Sequence, residues 1–132
     1  MGYTICYISK AKDDLTESQI EEIFNKTYTE NSLKSITGIL LHGMGNFFQI
    51  LEGEKNHILP LYEENIKNDE RHSDIFEVIN KPKDTAIFAN YRTHFNIIRT
   101  NEQLEDVKKY LREHEINTTT DKFQRLLNSF IL

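Results

Sequence analysis

The sequence has little of what several classes of protein require. Its single cysteine, Cys6, excludes an internal disulfide; it suits a reducing cytoplasm and fits equally well as a small core residue. No apolar run reaches the roughly 20 residues of a membrane span, and the first residues lack the charged-then-apolar pattern of a secretory signal. We therefore expect a cytoplasmic chain that does not bind a membrane.

Basic residues are also in short supply, since 16 Lys and Arg stand against 21 Asp and Glu, for a formal net charge of −5. A nucleic-acid-binding protein usually carries a basic face, so this balance argues against nucleic acid as a partner. At 132 residues the chain is long enough for one domain with its own core.

Catalytic and metal-binding motifs are absent from the sequence as well. It has no Gly-rich phosphate loop and no nucleophile elbow, and its five histidines have no metal-ligand spacing with one another or with Cys6. An acylphosphatase-like hydrolase would need an arginine-rich phosphate cradle near the first turn, where Lys10-Ala11-Lys12 is a poor substitute. We predict that the chain is not an enzyme and holds no metal.

The hydrophobic pattern predicts an α+β fold. Alternating strand patterns and helical stripes occur in the order β-α-β-β-α-β-β, followed by two further helices. Capping boxes mark two of the helix starts, Thr16 with Gln19 and Thr100 with Gln103. The predicted strands cover residues 3–9, 35–42, 46–53, 73–80 and 88–98, and the predicted helices begin near residues 16, 57, 100 and 121.

This order of elements is that of a ferredoxin-like βαββαββ sheet, which places two helices on one face. The opposite face still carries Phe48 and Ile50, so we expect the C-terminal helix pair to cover it. We predict a core over residues 1–98 and a helical cap over residues 99–132, both within one domain.

A glutamine lies where the pattern predicts a buried side chain. In the third strand Phe47, Gln49 and Leu51 share one face, and Phe48 and Ile50 share the other, so both faces are apolar. A buried carboxamide without partners costs roughly 1–3 kcal/mol. Either the protein or a ligand with a polar edge must supply those partners.

Two further polar side chains are placed to converge on Gln49. The first and third strands of a ferredoxin-like sheet are adjacent, which would bring Tyr7 beside it, and Asn31 lies just past the predicted end of the first helix. Taken singly, Tyr7 is interpreted as a core tyrosine and Asn31 as a helix C-cap. Taken together with Gln49, they favour a ligand site.

These residues lie in segments that resemble the BLUF family, blue-light sensors that use a flavin. The similarity extends in register over residues 3 to 98. The matching segments are Tyr7 in the first strand, Asn31 followed by Ile36-Thr37-Gly38, the run Phe47-Phe48-Gln49-Ile50-Leu51-Glu52-Gly53, and Asp69-Glu70-Arg71-His72.

The resemblance implies a noncovalent flavin, FAD or FMN, between the first two helices. Tyr7 would donate an electron and a proton on illumination. Gln49 would be left rotated or tautomerised, with a stronger hydrogen bond to the flavin that shifts its absorption to the red. Asn31 and Asp69 would hold the polar edge of the ring. The other expected members of the cofactor site are Asn65, Arg71 and His72, and, from the apolar helical stripes, Ile23, Phe24 and Ile66.

Three positions depart from the pattern of the family. Asn65 stands where the second helix usually presents an arginine, and Glu30 stands where a basic or neutral polar residue is usual. In the fifth strand Tyr91 and Thr93 replace a tryptophan and a methionine, at the positions where we expect signal output. A hydroxyl at Thr93 would bond Gln49 directly, or the signal would take another route.

The expected output is to an unidentified effector protein or through a homo-oligomer, with Phe130 and Ile131 near the C-terminus as a candidate contact. The alternative function is a flavin-free interaction module that keeps the fold. Asn65 and Glu30 are the residues that favour this alternative.

Overall fold

The computed structural model describes residues 2–83, 85–92, 94–114 and 118–132. Both predicted capping boxes are formed, at Thr16 and at Thr100. The strands are β1 (Gly2–Ala11), β2 (Thr37–Gly43), β3 (Asn46–Glu54), β4 (His72–Pro82) and β5 (Asn96–Ile98). The helices are α1 (Glu17–Leu33), α2 (Lys55–Pro60), which continues as a π-helical segment over Leu61–Ile66, α3 (Asn101–Glu113) and α4 (Thr118–Leu127).

One five-stranded sheet carries the fold, in the order β4-β1-β3-β2-β5. Neighbouring strands are antiparallel except β2 and β5, which are parallel. Phe24 of α1, Ile58 of α2 and Tyr62 of the π-helical segment cover one face. The helices α3 and α4 cover the other face through Leu104, Val107, Leu111, Phe123 and Leu127. The predicted ferredoxin-like α+β fold, with a helix pair on each face, is confirmed.

The central strands are buried on both sides, as the continuous apolar pattern of β3 predicted. Phe48 and Ile50 are fully buried against the cap, and each contributes about 1.5–3 kcal/mol by leaving water. Cys6 lies in the same cluster, where burial raises the pKa of its thiol, so it is a core residue. Within the part of the chain that the structure describes, no helix is long and apolar enough to cross a bilayer.

The last strand is shorter than the sequence pattern indicated, because β5 begins only at Asn96. The buried carboxylate of Glu52 on β3 accepts hydrogen bonds from the backbone N–H groups of Ile87 at 2.5 Å and Phe88 at 2.8 Å. Since these donors are satisfied outside a strand ladder, the chain turns here. The prediction of a strand from residue 88 is therefore wrong.

Burial over residues 88–98 also differs from that of one continuous strand. Alternation from the buried Phe95 would bury Ala89 and expose Asn96, whereas Ala89 is exposed and Asn96 is buried. The Asn96 side chain donates long hydrogen bonds of 3.4 Å to the backbone carbonyls of Gly38 and His94. The single alternation assumed along the whole segment does not hold across a turn.

The first helix is longer than predicted, and this changes the place of Asn31. Because α1 continues to Leu33, Asn31 lies inside the helix and not past its end, and the interpretation of Asn31 as a C-cap is wrong. The C-cap is Lys34, and Ser35 follows with a φ of +56° that turns the chain into β2.

The second helix begins at Lys55, slightly before the predicted start, with Pro60 in its interior. Proline has no backbone N–H and cannot complete the regular ladder. The chain continues with the wider π-helical spacing, in which the N–H of Lys67 donates to the carbonyl of Tyr62 at 3.0 Å.

Candidate functional site

Tyr7 and Gln49 are paired across the ladder between β1 and β3. Their Cα atoms are register partners, and Nε2 of Gln49 donates a hydrogen bond of 3.0 Å to the Tyr7 hydroxyl. Both residues are 4% exposed. Burial raises the pKa of the Tyr7 phenol, so it stays neutral at physiological pH. The expectation that Tyr7 lies beside Gln49 is confirmed.

The other end of the Gln49 amide has no partner among the described residues. Its carbonyl oxygen Oε1 is buried without a hydrogen bond, and so is Nδ2 of Asn31 on α1. Each such group costs roughly 1–3 kcal/mol when left unpaired. A ligand whose edge offers both donors and acceptors would satisfy an amide oxygen and an amide nitrogen together.

Gln49 lines a cleft between α1, the π-helical segment and the sheet. The empty space of the cleft is about 420 Å³ when its open mouth is included. Apolar walls with a few placed polar groups are typical of sites for small molecules and cofactors. The lining residues are the apolar Ile23, Leu40, Phe47 and Ile66 and the polar Tyr7, Thr27, Gln49, Asp69, Arg71 and His72.

Asp69 and Arg71 form an ion pair at the rim of the cleft. Nη2 of Arg71 lies 2.6 Å from Oδ2 of Asp69, and both Nε and the backbone N–H of Arg71 donate to Oδ1 at 2.9 Å. These bonds from Arg71 hold the pKa of the Asp69 carboxyl below its usual range. The pair brings a fixed guanidinium to the cleft, with its position set by a neighbour two residues away.

His72 ties the same rim to the sheet and to the π-helical segment. Its Nε2 lies 2.7 Å from the backbone carbonyl of Ile66, and its Nδ1 lies 2.7 Å from the hydroxyl of Ser9. A carbonyl only accepts, so in the neutral ring Nε2 carries the proton and Nδ1 accepts from Ser9. His72 therefore fixes the position of one cleft wall.

The structure brings most of the predicted cofactor-binding residues to this cleft. Asn31 and Phe24 are buried on α1, but neither lines the cleft itself. The predicted residues that do line it are Tyr7, Ile23, Gln49, Ile66, Asp69, Arg71 and His72.

The expectation that Asn65 faces inward is wrong. Asn65 is exposed and does not line the cleft. The prediction assumed regular α-helical spacing, which would put Asn65 on the same side as Tyr62 and Ile66. The π-helical segment uses more residues per turn, and this turns Asn65 to solvent while Tyr62 stays buried.

Thr27, Leu40 and Phe47 line the cleft although they were not predicted as site residues. Thr27 lies one helical turn after Ile23, and Phe47 shares a strand face with Gln49, so both signals were present in the sequence. Leu40 is the register partner of Gln49 on β2. That pairing depends on the tertiary register and could not be read from sequence spacing.

Tyr91, expected at the signal output, lies on the cap side of the sheet. It is half-buried and packs against Tyr110 of α3, with ring centroids 4.6 Å apart, and against Phe88, at 5.8 Å. Thr93 lies outside the described residues, so its expected contact with Gln49 stays a prediction.

The model of the family described as BLUF, Sensors of blue-light using FAD, matches residues 3–94. The chain belongs to the BLUF family. A photoactivated adenylate cyclase subunit alpha from Euglena gracilis is 33% identical to it over 87 residues, which are 66% of this chain and 8% of that protein. This chain therefore spans a small part of the curated relative, whose cyclase activity belongs to that protein.

Solved BLUF structures share the fold over nearly the whole chain. A structure named BlrP1 BLUF is 27% identical, with a TM-score of 0.74, and the match covers 99% of this chain and 90% of that one. A structure of Klebsiella pneumoniae BlrP1 with FMN and cyclic diGMP is 24% identical, with a TM-score of 0.76 over 97% of this chain and 35% of that one. At that identity the second match shows the fold alone.

BLUF domains are blue-light sensors that bind a flavin, and the residues here fit such a cofactor. The amide oxygen of Gln49, which lines the cleft and has no partner among the described residues, suits a donor on a flavin edge, and Ile23 and Ile66 provide apolar walls. The alternative of a flavin-free interaction module is not supported by these matches.

Proposed function

We propose that this chain is a blue-light photoreceptor in which Tyr7 and Gln49 form the light-driven switch. The observation that supports this most is the buried Oε1 of Gln49, which has no hydrogen-bond partner within the described part of the chain while Nε2 of the same amide bonds Tyr7. An amide that can turn between two hydrogen-bonding arrangements has two states. A ligand or light can shift the populations of such states.

In this proposal the cofactor is FAD, with FMN as the second candidate. Gln49 and Asn31 would bond the polar edge of the ring, and Arg71 would supply the positive charge that Asn65 does not bring to the cleft. Asp69 would act mainly by fixing Arg71, since Arg71 already bonds both oxygens of its carboxylate. The residues that line the cleft would contact the isoalloxazine ring. FAD and FMN share this ring, so both are candidates.

Tyr7 is the electron and proton donor of the proposed switch. A bound flavin, once photoexcited, supplies a strong one-electron oxidant. Tyr7 would give up an electron and then its hydroxyl proton to this oxidant, because an oxidised phenol is a strong acid, and it would recover both when the pair recombines. Among the described residues the side-chain hydrogen bond to Tyr7 comes from Gln49, so Gln49 is the group that must respond.

Gln49 responds by a half-turn of its amide. In the structure Nε2 donates to Tyr7, and Oε1 has no hydrogen bond to any described residue. After the half-turn the Tyr7 hydroxyl donates to Oε1. Nε2, a donor, then occupies the position away from Tyr7 that the acceptor Oε1 occupied before. A buried hydrogen bond gained in this way is worth about 1–3 kcal/mol, enough to change a coupled equilibrium by one to two orders of magnitude.

The proposed output runs through the cap to a protein effector or to a second copy of the chain. Tyr91 packs on α3, and Ile131 after α4 is 67% exposed, whereas Phe130 is buried. Of the two residues expected to contact a partner near the C-terminus, Ile131 is therefore the remaining candidate. We propose a cytoplasmic sensor that catalyses no turnover of its own.

The test is a light-minus-dark spectrum of protein reconstituted with FAD and, separately, with FMN. We expect yellow protein whose absorption shifts to the red under blue light and recovers in the dark. Tyr7→Phe and Gln49→Leu should each retain flavin and lose the shift. Tyr3→Phe is the matched control, because Tyr3 is on the same strand but bonds Asn80 away from the cleft.

Colourless protein after reconstitution would refute the sensor. A normal red shift in Tyr7→Phe would remove Tyr7 from the donor role, and a normal shift in Gln49→Leu would refute the amide switch. Loss of the shift in Tyr3→Phe would mean that the assay reports general damage to β1.

A further inference from the structure

A second tyrosine lies against Tyr7 on the side away from Gln49. The ring centroids of Tyr7 and Tyr62 are 5.8 Å apart with an angle of 40° between the planes, within the range of an aromatic pair in contact. Tyr62 is fully buried on the π-helical segment. Its large side chain is thus held in one place beside the proposed electron donor.

The Tyr62 hydroxyl has an acidic partner. It donates a hydrogen bond of 2.9 Å to Oε2 of Glu77 on β4. Burial, followed by the bond to Glu77, raises the pKa of the Tyr62 phenol, so in the resting protein the proton stays on the phenol. A neutral phenol bonded to a carboxylate has a proton acceptor already in place.

The strand register of the sheet brings the pair of Tyr62 and Glu77 next to Tyr7. Glu77 is the register partner of Tyr7 across the ladder between β1 and β4, next to a β-bulge. β1 therefore presents Tyr7 between Gln49 on β3 and Glu77 on β4. The π-helical segment supplies Tyr62 to the same point, and such irregular helical turns are frequent at functional sites.

The hydrogen bond to Glu77 favours loss of an electron and a proton together. An oxidised phenol is a strong acid, and the Tyr62 hydroxyl already donates to a carboxylate oxygen at 2.9 Å. The nearby Lys67, 4.9 Å from the ring centroid, is paired with Glu63, so its charge is largely balanced. Transfer of the proton to Glu77 would leave a neutral Tyr62 radical.

We propose that Tyr62 is a second redox-active residue, which reduces Tyr7 after light has oxidised it, with Glu77 accepting the Tyr62 proton. One electron passes from Tyr62 to the neutral Tyr7 radical, and the O–H bond of Tyr62 breaks as an O–H bond forms on Glu77. Tyr7 becomes a phenolate and takes back the proton that it had given up to the light-driven oxidant, the bound flavin that the proposed function names. The products are a neutral Tyr62 radical, a neutral Glu77 carboxyl and a restored Tyr7 phenol, and the electron that Tyr7 first lost stays with that oxidant.

This step rests on the proposed role of Tyr7 as light-driven donor. It moves the radical one aromatic ring away from the cofactor, which slows recombination. Protein molecules in which the radical has moved to Tyr62 do not undergo the rotation of Gln49. Tyr62 therefore acts as a competing branch that lowers the yield of the red-shifted state.

The test is transient infrared and electron paramagnetic resonance spectroscopy on the FAD-loaded protein. We expect a carboxyl C=O band from protonated Glu77 that rises with a slowly decaying tyrosyl radical. Tyr62→Phe should remove both signals and raise the yield of the red shift. Glu77→Gln keeps a hydrogen-bond acceptor but takes no proton, so it should remove the band and slow radical transfer at least about tenfold.

Tyr110→Phe is the matched control, because Tyr110 is a partly buried tyrosine on the cap side whose hydroxyl donates to the Ile87 carbonyl at 2.6 Å. It should leave both signals unchanged. A red shift without the carboxyl band, or a slow radical that persists in Tyr62→Phe, would overturn the role of Tyr62 alone. Absence of any red shift in the parent protein would instead refute the proposed function, and with it this step.

Discussion

Gln49 donates to the hydroxyl of Tyr7 at 3.0 Å with one end of its amide, and the other end is buried with no partner among the residues that the structure describes. The pair therefore carries a cost in the flavin-free protein that a bound cofactor would relieve. Both side chains line a cleft whose walls also include the apolar Leu40, Phe47 and Ile66. Two apolar side chains of similar size would fill the same space without that cost.

The double variant Tyr7→Phe/Gln49→Leu should be as stable as the flavin-free parent or more stable, by up to about 3 kcal/mol, because it removes both partners and the unpaired carbonyl. Urea unfolding of flavin-free protein measures the difference. Gln49→Leu alone should gain less, because it leaves the buried Tyr7 hydroxyl without its donor. A double variant less stable than either single variant would show that Oε1 has a partner in solution.

The guanidinium of Arg71 should matter more for flavin binding than the residue at position 65. Arg71 lines the cleft and Asn65 is exposed outside it. Arg71→Gln should weaken flavin affinity by roughly tenfold, the effect of losing about 1.4 kcal/mol from one charged hydrogen bond. Asn65→Arg should leave affinity nearly unchanged. Equilibrium titration with FAD measures both, and a large gain from Asn65→Arg would show that position 65 reaches the cofactor.

The ion pair of Asp69 and Arg71 should add a small acid-sensitive contribution to stability. Arg71 lowers the pKa of Asp69 in the folded protein, so the contribution is present above the ordinary value of 3.8 and is lost as pH falls through the lower folded pKa. Both side chains are partly exposed, at 29% and 37%, so we expect less than about 1 kcal/mol. Urea unfolding of wild type and Asp69→Asn should differ at pH 7, and the difference should shrink as the pH falls below 3.8. A difference that grows in acid would contradict this assignment.

Glu52 should be essential to the segment that leads into β5. Its two carboxylate oxygens accept from Ile87 and Phe88, and an amide in their place would turn a donor toward one of these N–H groups. Glu52→Gln should therefore cost roughly 1–3 kcal/mol in urea unfolding at pH 7. Glu113→Gln, at an exposed helix end, is the control and should stay within about 0.5 kcal/mol. Equal effects of the two variants would mean that the Glu52 contacts contribute little.

Several features of this protein followed from the sequence because they depend on neighbours in the chain. The capping boxes at Thr16 and Thr100 formed as predicted, since each needs only residues within one helical turn. The apolar run around Gln49 predicted a strand buried on both faces, because alternation along β3 is a local property. The motif residues from Tyr7 to His72 identified the family before any geometry was known.

Other features were decided only in three dimensions. Asn65 turned to solvent because Pro60 and the π-helical spacing changed the phase of the helix, and Asn31 lies inside α1 because that helix continued to Leu33. The strand predicted from Phe88 was replaced by a turn because Glu52, distant in sequence, captured its N–H groups.

The sequence thus determined by itself the order of strands and helices and most of the candidate site residues, since these depend on spacing along one segment. Tertiary structure decided which of them meet: the register that sets Tyr7 against Gln49 on one side and Glu77 on the other joins three strands. Such pairings depend on side chains far apart in sequence that exclude water together, and no single segment contains that information.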